Sequence, residues 1–314
     1  MIMGYDIIGD IHGQAGKMKA LLKKLGYRLK DGAYRNPEGR MAIFLGDLVD
    51  RGPGQVEAIT IVRNMIEAGS GLSIMGNHEW NAIRFVTRDG NGNLVKERDP
   101  SKTKEHAAFL EQVGGEGTSL HNEMIDWFKT LPPFLELGGI QVCHAWWKPE
   151  SINVIRSGVS DRGILDDDFL FDSFIKRTLA WRAIEDVTKG YEVEMGSGAS
   201  FLDHNGIPRK EVRVRWWDES ADTYQKAALV PESERTRIPD LPLPPDVVLG
   251  ATSDVPTFVG HYWLTGTPGI QNPTTAVLDY GAGKTGPLVA YRWDGEPVLT
   301  NENFVWVSPG GQND

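Results

Sequence analysis

Five short apolar runs in this chain each end in a carboxylate, a carboxamide or an imidazole, with glycine close by. "YDIIGDIHG" closes on Asp10 and His12, "MAIFLGDLVDRG" on Asp47, Asp50 and Arg51, and "LSIMGNHE" on Asn77 and His78. "QVCHA" and "TFVGH" add His144 and His261. A strand that served only the core would not end this way, because unpaired polar groups are costly to bury. In open α/β sheets, ligands collect beyond the carboxyl ends of the strands. The pattern therefore predicts strand ends converging on one polar site, and four of the seven histidines stand at those ends.

The segments between these runs agree with such a sheet. Met18, Leu21, Leu22 and Leu25 recur at helical spacing before Gly26, and Val56, Ile59, Val62 and Ile66 do so before Gly69. "FLELGGIQVCH" reads as a hairpin, and "TAVLDY", "PLVAYRW" and "NFVWV" read as short strands. The fold class is mixed α/β, taken as a single domain over 1–314. With 314 residues, 40% of them hydrophobic, the chain can bury a large core. Its net charge of −10 argues against general nucleic-acid binding and against an anionic membrane surface. No run approaches the roughly 20 apolar residues of a membrane span, and the first residues lack a basic flank and apolar signal core. A single cysteine, Cys143, suits a reducing compartment. These features set the expectation of a cytoplasmic protein with no membrane partner.

Carboxylate, carboxamide and imidazole donors without thiolate suit Mn²⁺, Fe or Zn²⁺, and one carboxylate can bridge two ions. "GDIHG", "GDLVDRG", "GNHE", a lone strand-end histidine and "GH", in this order, resemble the motifs of the calcineurin-like metallophosphoesterases. The likeness is to the phosphoprotein phosphatase branch, which includes bacterial Ser/Thr protein phosphatases and diadenosine tetraphosphatases. It implies a four-layer α-β-β-α sandwich of two mixed β-sheets with a binuclear site at the carboxyl ends of the strands. It implies that Asp10, His12 and Asp47 hold one divalent ion, and that Asp47 bridges to a second held by Asn77, His144 and His261. His78 matches the general acid, Asp50 the carboxylate that orients it, and Arg51 a phosphate-binding arginine, with Asn77 also facing substrate. Two divalent ions are implied, Mn²⁺ first, with Fe, Zn²⁺ and Ni²⁺ as alternatives. Many relatives carry a further histidine two positions after "GH"; here that position is Trp263.

The implied activity is phosphomonoester hydrolysis, by direct attack of a hydroxide that bridges the two ions. Phosphoserine and phosphothreonine in proteins are the first expected substrates, with small phosphoesters as test substrates. The alternatives are a dinucleoside polyphosphate hydrolase, a nucleic-acid-end phosphatase and a non-catalytic interaction protein. A dinucleotide would call for stacking platforms, for which Trp146, Trp147, Trp216, Trp217 and Trp263 are the candidates.

The stretch from His144 to His261 is longer than a simple connection, so 150–250 reads as an inserted region and a possible cap. It holds a helix with Phe171, Phe174, Ile175 and Leu179, a hairpin around "FLDHNGIPRKEVRVRWW", and four arginines, Arg177, Arg182, Arg213 and Arg215, any of which could bind phosphate. His106 falls on an apolar helix face with Phe109, Leu110 and Val113 and reads as a core or edge histidine. His121 reads as solvent-facing or a cap, and His204 as part of a turn. "GAGKT" lacks the first glycine of a phosphate-binding loop and precedes a strand. The stretch 89–100 lacks the glycine and glutamate of a calcium loop and reads as a polar surface loop.

Overall fold

The computed structural model describes residues 4–96, 98, 100–196, 198–203, 206–251 and 253–308. His204 lies outside them. Two mixed sheets form the centre. In the first, the strands run in the spatial order Phe304–Val307, Leu288–Trp293, Tyr5–Ile8, Met41–Phe44, Gly71–Ser73. Tyr5–Ile8 pairs parallel with Met41–Phe44 and antiparallel with Leu288–Trp293. In the second sheet the order is Thr275–Val277, Thr257–Val259, Ile140–Cys143, Phe134–Leu137. Every strand read from the sequence is present, including the Gly138–Gly139 hairpin that joins Phe134–Leu137 to Ile140–Cys143.

The two faces of each strand go to different cores, as a period of two requires. Ile7, Ile43, Val142, Phe258, Ala276 and Tyr291 fill the layer between the sheets. Ile8, Phe44, Val259 and Val277 turn outward to the larger core shared with the helices. Helix Ala15–Lys24 contributes Met18, Leu21 and Leu22, and helix Gln55–Glu67 contributes Ile59 and Val62, all fully buried. Ile152 and Ile155 of Pro149–Arg156 and Ala183, Ile184 and Val187 of Leu179–Lys189 belong to the same core. The result is the expected helix–sheet–sheet–helix sandwich. None of the described helices is long and apolar enough to cross a membrane.

Three local readings change. The helix expected over Phe171–Leu179 is two helices, Asp167–Asp172 and Leu179–Lys189, separated at Arg177, whose backbone has φ +72°. Phe174 is buried, whereas Ile175 and Leu179 are exposed. His121 is buried rather than solvent-facing, and its backbone N–H donates to the Thr118 hydroxyl that caps helix Ser119–Phe128. The "NG" hairpin is split: Phe201–Leu202 pairs with Pro208–Arg209, while Glu211–Arg213 pairs with Glu192–Glu194. Around these short strands Val193, Met195, Phe201, Val212, Val214 and Tyr224 form a separate small core. "GAGKT" is a turn before Leu288–Trp293, and the Lys17 ammonium donates to carbonyls in this loop, those of Ala282 and Gly286.

Candidate metal centre

The strand ends meet. Asp47 is the hub: its Oδ2 lies 3.5 Å from His12 Nε2, and its Oδ1 lies 3.4 Å from His144 Nε2. Two donor sets share this carboxylate, His12–Asp47–His78 and Asp47–His144–His261, each with ligand atoms within 4.8 Å of one another. Asn77 Oδ1 is 3.1 Å from His144 Nε2. Asp10 stands slightly apart, with its carboxylate accepting from the His261 backbone N–H at 3.0 and 3.2 Å.

The donors are aimed by their outer partners. His12 donates Nδ1–H to the Val49 carbonyl at 2.9 Å, and His144 donates Nδ1–H to the Leu45 carbonyl at 2.6 Å. Each therefore presents Nε2 inward, the arrangement that ligand histidines need. The His261 Nε2 is buried and has no hydrogen-bond partner. An orphaned imidazole nitrogen beside a buried carboxylate is costly without a cation, so this donor set fits divalent metal. Burial, reinforced by the Arg51 and His78 charges, holds His12 well below its usual pKa; burial and the Arg213 and His144 charges do the same for His261. Both shifts favour the neutral form that ligation requires, whereas His144 goes the other way: burial lowers its pKa, but the Asp47 and Asp10 carboxylates push it up to about 10.

The loops that deliver these groups are strained. His12, Asp47, Asp50, Arg51, His261 and Trp263 all have positive φ, between +45° and +73°. Such backbone is uncommon outside glycine and gathers at functional sites. Two glycines allow the loops to touch: a Cβ on Gly46 would lie 2.4 Å from the Gly76 nitrogen, and one on Gly76 would lie 2.3 Å from Asp47 Oδ1. Glu79 then ties the same loops together. Its Oε2 accepts from the N–H groups of Asp47 (2.8 Å) and Gly76 (2.9 Å), and its Oε1 from those of Leu48 (2.8 Å) and Val49 (3.4 Å).

Asn77 and His78 open helix Asn77–Val86, an element that motif reading had not assigned. His78 Nδ1 meets Asp50 Oδ2 at 2.5 Å. The Arg51 guanidinium lies over the Trp263 ring, 4.3 Å from its centroid, and approaches His12 Nε2 (2.6 Å) and Glu105 Oε1 (3.3 Å). Lys284, which is exposed, sits over the same indole at 4.7 Å. Trp263 thus serves as an aromatic platform for the arginine.

Of the four arginines left open, Arg213 works against protonation of His261 and pairs with Glu192 at 2.8 Å. Arg177 is exposed, Arg182 pairs with Asp186 and Arg215 with Asp218. The stacking platforms do not materialise: Trp146, Trp147, Trp216 and Trp217 are buried, and only Trp263 is half-exposed. Indoles at those positions serve the core because their neighbours close over them, as Tyr191 does by stacking on Trp146. Sequence reasoning also missed Glu79, Glu105 and Asp279. Asp279 is buried and accepts from the Trp263 and Gly281 N–H groups. The carboxylate in "GNHE" was the available signal for Glu79; the other two lie far from any motif.

The chain matches the calcineurin-like phosphoesterase family over residues 3–195. It is 36% identical over 162 residues to a bis(5'-nucleosyl)-tetraphosphatase (asymmetrical) PrpE of Bacillus subtilis, covering 51% of this chain and 64% of that one. The corresponding protein of Bacillus velezensis is 37% identical over 153 residues, covering 48% and 59%. These matches thus span less than two thirds of each relative. A solved cold-active protein-tyrosine phosphatase from a Shewanella species superposes with a TM-score of 0.50 at 16% identity, covering 99% of this chain and 80% of that one, and bears on the fold alone. With its fold, its donor set and the family match in agreement, the chain belongs to the calcineurin-like phosphoesterases.

Proposed function

We propose that this protein hydrolyses phosphoric esters or anhydrides with two divalent ions, one held by Asp10, His12 and Asp47, the other by Asp47, Asn77, His144 and His261. The observation that carries the reading is the two-sided Asp47 carboxylate, one oxygen toward His12 and the other toward His144, beside the His78–Asp50 pair. When bound, the ions would supply charge stabilisation at the phosphoryl oxygens and a water of lowered pKa. Everything else falls to side chains. Arg51, steadied on the Trp263 indole, offers a planar fork to two phosphate oxygens. His78 gives a proton to the leaving oxygen. Burial works against its charged form, but Asp47 and Asp50 raise its pKa overall, so it is available as the acid. Asp50 fixes the ring so that Nε2 carries that proton. We read 150–250 as a cap over the site; support comes from the separate small core formed by Val193, Phe201, Val212 and Tyr224 and from the influence of the Arg213 charge on His261.

For substrate we favour a dinucleoside polyphosphate. The names of the relatives support this, and so does the gathering of two cations, Arg51 and Lys284, on the Trp263 indole, which suits an anion with several phosphates. Phosphoserine or phosphothreonine in proteins is the second reading, favoured by the burial of four of the five candidate stacking tryptophans. Purified protein loaded with Mn²⁺ and offered diadenosine tetraphosphate, a phosphopeptide and p-nitrophenyl phosphate separates the two. A kcat/KM highest for the tetraphosphate supports the first reading and one highest for the phosphopeptide the second; no turnover of any of them overturns both.

A further inference from the structure

His106 belongs to helix Pro100–Gln112, far in sequence from every metal-site motif, yet its Nδ1 lies 2.9 Å from Asp50 Oδ1. The other Asp50 oxygen holds His78 Nδ1 at 2.5 Å, and the Asp50 backbone N–H donates to Gln55 Oε1 at 2.9 Å. A carboxylate can only accept, so Nδ1 of His106 carries the hydrogen of this bond. Nε2 of His106 is buried with no partner. The ring is wedged between Phe85 and Phe109, with centroids 5.2 and 5.0 Å away. His106 is thus the core histidine that the sequence suggested and no metal ligand, but its one polar contact is spent on the carboxylate that orients His78.

The geometry matters because an aspartate's terminal torsion is soft and two-fold. Held by His78 alone, Asp50 could swing and would leave a buried carboxylate oxygen unpaired, which is costly. With both oxygens bonded, and its backbone held at φ +66°, the group has one orientation. Among the described residues no other side chain donates to Oδ1 of Asp50. The preceding residue on the helix, Glu105, reaches Arg51 at 3.3 Å and lies 3.8 Å from His78 Nε2, so a single helical turn braces both the phosphate-binding and the proton-donating side.

We propose that His106 is a positioning residue: it completes a His106–Asp50–His78 chain that aims the proton of His78 at the leaving oxygen. The inference rests on His78 acting as the general acid, and its test separates the two. Aryl phosphates with successively poorer leaving groups, from 2,4-dinitrophenyl to p-nitrophenyl to phenyl, depend increasingly on proton donation. In the Mn²⁺-loaded enzyme, His106→Phe keeps the ring packing and removes the donor. Its kcat loss should grow along the series, to about 10- to 100-fold with phenyl phosphate, with KM and bound Mn²⁺ unchanged. His106→Asn, which restores a donor near the Nδ1 position, should recover most of that loss. His78→Asn should show the same leaving-group trend more steeply. If His78→Asn shows it and His106→Phe does not, the role of His106 is overturned and that of His78 stands. If His78→Asn shows no trend, the general-acid reading falls and the chain with it. Nitrogen-15 histidine spectra of the metal-free wild-type protein give a readout independent of turnover and of variant folding. The Nδ1–H tautomer at His106 is expected, and the Nε2–H tautomer would overturn the proposal.

Discussion

Replacing Glu79 by Gln tests the claim that one buried carboxylate assembles the metal-site loops. Its two oxygens accept four backbone N–H groups, two each, from Asp47, Gly76, Leu48 and Val49. A glutamine has one accepting end. Whichever way the amide turns, two amide hydrogens of a fully buried site face an NH₂ group instead of an oxygen. Each orphaned buried donor costs about 1–3 kcal/mol, and relief of repulsion between Glu79 and Asp47 offsets part of the sum. A net loss of roughly 2–4 kcal/mol follows, or about 3–6 °C in Tm for a chain of 314 residues. Differential scanning calorimetry of metal-free protein measures it, and the Mn²⁺ concentration for half-maximal activity should rise in parallel as Asp47 loses its seat. A Tm equal to or above that of the wild type would refute the reasoning, since it would mean that the four hydrogen bonds do not hold the loops.

Three further outcomes are expected. His78→Asn should lower kcat by about 10²–10⁴-fold while bound metal, measured by plasma emission, stays constant. Asp50→Asn should be less stable near neutral pH by about 3 kcal/mol. Burial raises the Asp50 pKa, but bonds from His106 and His78 outweigh it and hold the carboxyl below its ordinary 3.8; that contribution is present above pH 4 and lost as pH falls through the depressed value, so the Tm gap between wild type and variant should narrow in acid. Lys284→Ala should raise KM for diadenosine tetraphosphate about three- to tenfold and leave KM for p-nitrophenyl phosphate within error, because only the longer anion reaches that ammonium; equal effects on both would remove Lys284 from the substrate path.

Much of this architecture is legible in the chain because local and global signals coincide. Ile7 and Ile8 face opposite layers, as a strand buried on both sides demands, and Leu21 and Leu22 lie on the buried face of their helix. The donor residues were readable for a related reason: Asp10, Asp47 and His144 follow strands directly, and the sheet order then decides where they meet. What could not be read is what depends on packing between distant segments. Nothing near His106 announces Asp50, 56 positions away. Trp216 and Trp217 look like surface aromatics in a polar hairpin, yet Trp216 donates its indole N–H to the Ala145 carbonyl and the Tyr262 hydroxyl within the core. Phe171–Leu179 has helical spacing but is broken at Arg177, where the chain takes a left-handed conformation that periodicity does not register.

The most direct measurement is anomalous scattering from crystals soaked in Mn²⁺. Two peaks about 3.5–4 Å apart are expected, both bonded to Asp47, one also to Asp10 and His12 and the other to Asn77, His144 and His261. A single peak, or two that do not share Asp47, would contradict the account.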